Sequence, residues 1–466
     1  MKRPLDLIPV LEYERLFEKP GRCLAYFFSP THGGFDAIYI SDEKIWRYLY
    51  PESRPVLLAL SSVYAHAHLF ECELWEEHGA EWAAHPRLHT VRNPNGRSFF
   101  SVEGEGLHEV GVGPVHAGII EPGHFRFSCS GENVLHLEVA LGYQRRGVET
   151  LIREASHPAR FTTLVESVCG DTAIGHAWAG CETWEKAAGM TVSPNDLAAR
   201  AMALELERIG QHLGNTSALC TDLAYRPGAS VFGVLRTPVV NFMQSWCGNR
   251  FGKGLLRPGG VRFPFTEALK SVLHKILDGV EKKFRPMAAE FRENQSIAER
   301  LQGNGSVTDE LAEALGWVGL CAKMCGIPRD ARRGNTLFPR FVPVTLSDGD
   351  AYARALLRLL EIEQSLALIR TLLDETAWPR ENARLPYPAP CAFEPSALVC
   401  SVVEGWRGEI VHAAVTDEKG RFATYKIVDP SFHNWKALEL SMRNTEIADF
   451  PVNNKSYDLS YCGFDL

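Results

Sequence analysis

The chain has 466 residues, 45% of them hydrophobic and 23% charged, with a formal net charge of −8. That length points to two or three domains with ample core, and the acidic balance argues against a nucleic-acid surface. No signal peptide is expected, because Asp6, Glu12, Glu14 and Arg15 interrupt any apolar run behind Met1-Lys2-Arg3. The longest apolar stretch, Val56 to Leu69, is broken by Ser61, Ser62, His66 and His68 and is too short and polar to span a bilayer. Any membrane association must then come through a partner. The 12 cysteines lack a secreted-type framework and read as reduced, cytoplasmic thiols. Cys321 and Cys325 would share one helix face as small core residues.

Residues 1 to 95 alternate strand-like and helical patterns, with Phe27-Phe28 and Ile38-Tyr39-Ile40 as short strands around a turn at Ser29 to Gly34. Asn93-Pro94-Asn95-Gly96 is the candidate linker. Strands follow at His124 to Ser128 and Val134 to Val139, joined by a Gly131-Glu132-Asn133 turn. From about 160 the pattern is helical. Ser193-Pro194-Asn195-Asp196 supplies an N-cap, a first-position proline and a first-turn acid, with Gly214-Asn215 expected to close that helix. Lys253 to Pro264 reads as a loop, and Ala353 to Leu373 as a helix apolar on more than one side, hence buried in a bundle. Strands return at Ala397 to Val403 and Ile410 to Val415. The fold expected is α+β: a small α/β N-terminal module over 1–95, then a large domain over 105–466 with a helical-bundle core and flanking β-sheets.

Two segments carry the chemistry. Cys169-Gly170-Asp171-Thr172 and Ser460-Tyr461-Cys462-Gly463 each look like half of a Cys-x-x-Cys metal-thiolate site with sulfur removed. Around them lie Gly113-Pro114-Val115-His116, Glu121-Pro122-Gly123-His124-Phe125-Arg126, Arg146-Gly147-Val148-Glu149, Glu205-Leu206-Glu207-Arg208-Ile209, Arg257-Pro258-Gly259-Gly260-Val261, Arg329-Asp330-Ala331-Arg332 and Arg407-Gly408-Glu409. In this order they resemble the large subunit of energy-converting [NiFe] hydrogenases of the formate hydrogenlyase type and, equally, the 49 kDa quinone-site subunit of complex I. Glu71-Cys72-Glu73-Leu74-Trp75-Glu76 with His85-Pro86-Arg87-Leu88 looks like the 30 kDa subunit of complex I, fused ahead. One departure is Ala84, where that family carries glycine before His-Pro.

The resemblance implies that the four nickel-ligand positions fall at Cys169, Thr172, Ser460 and Gly463, leaving one thiolate in register, with Cys462 one position away. An intact nickel–iron centre is not expected, and no cofactor is expected on this chain itself. The resemblance implies further that His116 and His124 lie in the loop where complex I relatives place two histidines, the second of them contacting the quinone headgroup, that Glu121 matches a proton-relay glutamate, and that Arg407 overhangs the site. Plainer roles are weighed beside these. His124 would be a turn histidine, Glu121 a solvated loop acid, and Arg407 an ion pair with Glu404 or Glu409. His176 would bond on its own helix, and Asp429-Pro430-Ser431 is read as a structural turn. The partners implied are a small [4Fe–4S] subunit, a ferredoxin-like subunit and antiporter-like membrane subunits, with the chain peripheral on the cytoplasmic face. A non-catalytic coupling subunit is the alternative.

Overall fold

Apolar runs covered on both faces, with one alternating strand, build the first sheet. In the computed structural model, which describes residues 1–95, 97–117, 119–380 and 384–466, strands β2 (Cys23–Thr31), β3 (Gly34–Ser41) and β4 (Ile45–Pro51) form an antiparallel meander. Phe27 pairs with Ile38, and Tyr39 with Trp46. Both faces of β2 are covered, which explains its continuous apolar run. Helix α1 (His68–His78) packs on this sheet. Strand β1 (Lys2–Pro4) lies elsewhere, paired with β8 (Ala397–Glu404). There it completes a four-stranded sheet, ordered β1-β8-β9-β10, with β9 (Glu409–Thr416) and β10 (Phe422–Val428). A third sheet joins β5 (Leu107–Val112), β6 (His124–Ser130) and β7 (Asn133–Ala140). The candidate linker is described only to Asn95, since Gly96 lies outside the described residues.

The helical core is formed by α2 (Ala173–Ala188), α3 (Pro194–Asp222), α4 (Arg226–Cys247), α5 (Glu267–Glu293) and α6 (Ala351–Glu375). Ser193 Oγ accepts the Asp196 N–H at 3.1 Å, the cap expected. The expected stop at Gly214-Asn215 is corrected: α3 continues to Asp222. A mid-helix glycine costs about 1 kcal/mol, and packing along α4 outweighs it. Gly214 sits where a Cβ would lie 3.1 Å from Arg236 Nε of α4. The Lys253–Pro264 loop holds a short antiparallel pair, Leu256–Arg257 with Gly260–Val261.

Between α3, α6 and the sheet runs a buried charge network. Lys323 Nζ lies 2.6 Å from Asp330 and 2.8 Å from Glu361. Arg332 bridges Asp330 at 2.7 Å and Glu205 at 3.0 Å. Glu361 also accepts from His212 Nε2 at 2.8 Å. Arg208 donates to the Glu404 and Gly405 carbonyls at 2.7 and 2.9 Å, which fixes the turn that presents Arg407. Helices α7 (Pro430–Ser441), α8 (Phe450–Tyr457) and α9 (Tyr461–Asp465) end the chain. No helix among the described residues is long and apolar enough to cross a membrane.

Candidate active site

The two half-motifs meet. Cys169 precedes α2 and Ser460 caps α9, yet Cys169 Sγ and Ser460 Oγ are 3.1 Å apart. Arg146 holds the segments together, donating to the Ser167, Val168 and Cys462 carbonyls at 2.8 Å each. Asp465 adds a second clasp by accepting the Gly142 and Gln144 N–H groups at 2.7 and 2.8 Å. Ser460 Oγ accepts the Gly463 N–H at 2.9 Å, so its hydroxyl caps the last helix. Cys462 Sγ is 3.5 Å from that hydroxyl. The site therefore gathers two sulfurs, one at a ligand position and one beside it, with the hydroxyls of Ser460 and Thr172.

Arg407 lies over them. Its guanidinium donates to Asp171 Oδ1 and Oδ2 at 2.6 and 2.8 Å, to the Asp458 carbonyl at 2.6 Å and to Thr172 Oγ1 at 3.3 Å. It stacks on the Trp406 ring with 3.8 Å to the centroid. The pairing considered with Glu404 or Glu409 is corrected, because both acids are engaged elsewhere. Glu404 accepts the Ala331 N–H at 2.9 Å, and Glu409 binds Arg22 at 2.9 Å. Burial alone would raise Asp171, but the Arg407 charge and its hydrogen bonds overcome it and hold the carboxyl at about 2.

Glu121 faces the same cluster. Burial, reinforced by the adjacent Cys462 sulfur, raises its carboxyl to about 7 against the pull of Arg407. Cys462 is drawn down to about 5, first by a hydrogen bond with Cys169 and then by Ser460, the Gly170 N–H and Arg146, while Cys169 is pushed up. Cys169, Thr172 and Ser460 are buried; Glu121, Asp171 and Cys462 are half-buried.

His176 does not bond within its own helix, as expected, but between elements. Its Nε2–H donates to Asp429 Oδ2 at 3.1 Å, and its Nδ1 lies 3.1 Å from His412 Nε2. His412 Nδ1 lies 2.8 Å from the Tyr425 hydroxyl. One tautomer set satisfies every bond: Tyr425 donates to His412, His412 to His176, and His176 to Asp429. Asp429-Pro430-Ser431 is corrected from a turn to the start of α7, with Asp429 accepting the Ser431 N–H at 2.8 Å. It also stands in the site, since a Cβ on Gly463 would lie 2.6 Å from Asp429 Oδ2. The carboxylate occupies the space a cysteine at position 463 would need.

The two histidines flank Glu121 in the chain. His116 is exposed on the loop before Glu121. His124 opens β6 with Nδ1 3.2 Å from the Gly113 carbonyl and its ring against Phe99; none of its described contacts reaches the sulfurs. Asp171, Arg146, Asp429, His412 and Cys462 are site residues that sequence reasoning misses or undervalues. The first two lie inside quoted motifs, whereas His412 carries no local signal.

A family model described as the 49 kDa subunit of respiratory-chain NADH dehydrogenase matches residues 229–389 and 391–465. The chain is 28% identical over 369 residues to the membrane-bound hydrogenase subunit alpha of Pyrococcus furiosus, covering 75% of this chain and 85% of that one. To formate hydrogenlyase subunit 5 of Escherichia coli K12 it is 26% identical over 363 residues, spanning 76% of this chain and only 62% of the relative. To an NADH-quinone oxidoreductase subunit of Clostridium beijerinckii it is 25% identical over 327 residues, covering 69% and 87% respectively.

Proposed function

Because this chain belongs to the family of the respiratory-chain NADH dehydrogenase 49 kDa subunit, we propose that it is the acceptor-site subunit of a membrane-associated oxidoreductase complex. That complex is related to complex I and to energy-converting hydrogenases. The observation that carries this reading is the meeting of two segments 291 residues apart, at 3.1 Å, under Arg407 and beside Glu121. Residues 1–95 are read as a 30 kDa-subunit-like module and 105–466 as the 49 kDa-like domain.

Nickel does not fit these residues. The soft, four-sulfur cage of a Cys-x-x-Cys pair of pairs would here have sulfur at Cys169 alone among the ligand positions. Cys462 adds one sulfur beside them, and Asp429 fills the space at Gly463. Electrons would instead arrive from a [4Fe–4S] cluster in a small partner subunit and pass to an acceptor, with quinone the candidate. Glu121, held near neutrality, would deliver the proton. Arg407 would fix the acceptor's polar end. His116 and His124 would line the approach to the site. A ferredoxin-like subunit and antiporter-like membrane subunits would complete the complex on the cytoplasmic face.

A second reading, a coupling subunit without chemistry, is favoured by one observation. Asp171, Asp458 and Thr172 already engage all three nitrogens of the Arg407 guanidinium, leaving it less to offer a substrate. Acceptor reduction by the intact complex separates the two. Glu121→Gln is expected to lower turnover by about 100-fold or more while assembly is kept, and His124→Ala by less than about tenfold. Unchanged turnover in Glu121→Gln would remove the catalytic reading.

A further inference from the structure

A second cluster of ligand-type side chains lies well outside that site, in the N-terminal module. His68 and Cys72 are four residues apart on α1 and therefore share one face. His89 reaches the same point from the segment after the helix. One ligand atom from each of His68, Cys72 and His89 lies within 4.8 Å of the other two. Cys72 Sγ is 4.0 Å from His68 Nε2, and the His68 and His89 rings meet edge-on at 5.5 Å. A tetrahedral zinc ion with Zn–S of about 2.3 Å and Zn–N of about 2.0 Å needs these atoms about 3.5 Å apart. Small side-chain rotations would close the difference.

The surroundings suit a metal. His89 Nδ1 lies 3.0 Å from the Thr90 carbonyl, so its N–H donates there and Nε2 is left to ligate. His85 is arranged differently. Its Nδ1 accepts the Arg87 N–H at 3.2 Å, which leaves Nε2 protonated and 3.9 Å from Cys72 Sγ. It is a donor to the sulfur rather than a fourth ligand. His68 and His89 also line a cavity of about 320 Å³ together with Arg87, Arg97 and Lys436. That cavity gives an entry path.

We propose that His68, Cys72 and His89 form a zinc site with three protein ligands and a fourth, exchangeable position open to the cavity. One thiolate and two imidazoles are a borderline-soft set that selects zinc over magnesium or calcium. Three protein ligands plus solvent is the arrangement of an accessible rather than a closed site. Arg87 and Arg97 pair with Glu138, and Lys436 with Glu439, all on the cavity wall, so the lining is charge-balanced and water is the natural fourth ligand.

The test uses the full chain. Zinc is measured in protein purified without chelator, and cobalt(II) is then exchanged in. About one zinc per chain is expected, and the cobalt form should show thiolate-to-metal charge transfer with tetrahedral ligand-field bands. Cys72→Ala and His89→Ala, with circular dichroism unchanged, should lose the metal. His85→Gln should keep it with affinity about 10–100-fold weaker. Fewer than about 0.1 zinc per chain after supplementation, or a cobalt spectrum without thiolate charge transfer, would overturn the site. The cobalt spectrum of the unaltered chain decides the matter even where a variant fails to fold.

Discussion

Gly463 is the residue where the site's history is easiest to test. Its missing side chain leaves room for Asp429, which α7 fixes through the Ser431 N–H and His176 through its ring. Restoring sulfur there by Gly463→Cys forces a Cβ to within 2.6 Å of a restrained carboxylate oxygen. Overpacking of this kind costs about 1–3 kcal/mol. Urea denaturation should show that loss, and adding Asp429→Ala should recover part of it. The family resemblance already implies that Cys169, Ser460 and Glu121 are neighbours. The partner of Arg407 is not legible, because Asp171 lies 236 residues away and nearer acids, Glu404 and Glu409, offer themselves. Cys462 is one position out of register by sequence. The short helix from Tyr461 nevertheless keeps its sulfur 3.5 Å from Ser460.

Among the elements, α3 and α6 carry the buried charges that hold the Arg407 turn in place. Glu361 accepts from Lys323, His212 and Arg208, and the combined positive charge, against the penalty of burial, holds its carboxyl well below the usual range. Removing one member of such a network leaves the others buried and unpaired, at a cost of about 3–5 kcal/mol. Glu361→Ala should therefore lower the unfolding free energy by that amount in chemical denaturation. Glu361→Ala combined with Lys323→Met should be less damaging than the single change. The helices are legible where caps and periodicity agree, as at Ser193 and over Ala351–Glu375. The end of α3 is not, because Gly214 reads as a stop locally while its contact with Arg236 is tertiary.

Across the whole molecule, one hydrophobic core runs from the N-terminal sheet to the C-terminal helices, including Tyr26, Phe70, Phe125, Leu398 and Phe432. Ion pairs cross the same boundary. Glu73 of α1 binds Lys426 of β10 at 2.5 Å and Arg92 at 2.7 Å. Burial alone would raise Glu73, but these two cations overcome it and hold it at about 2. Its folded value lies below its unfolded one of about 4.3. The unfolded chain therefore binds more protons between those values, and the stability Glu73 gives is present above about 4.3 and lost as pH falls towards 2. Unfolding free energy should decline over that window, with a shallower slope in Glu73→Gln; an equal slope would mean that Glu73 is not held low. The strand content of residues 1–95 is legible from short apolar runs around a turn, whereas the pairing of Lys2–Pro4 with Ala397–Val399 is not, since nothing local links the two segments.

Elemental analysis of the intact complex, purified in an electron-transferring state, decides whether the two half-motifs form one site without nickel. Less than about 0.1 nickel per chain is expected. About one nickel per chain, retained through purification and lost in Cys169→Ala, would contradict it.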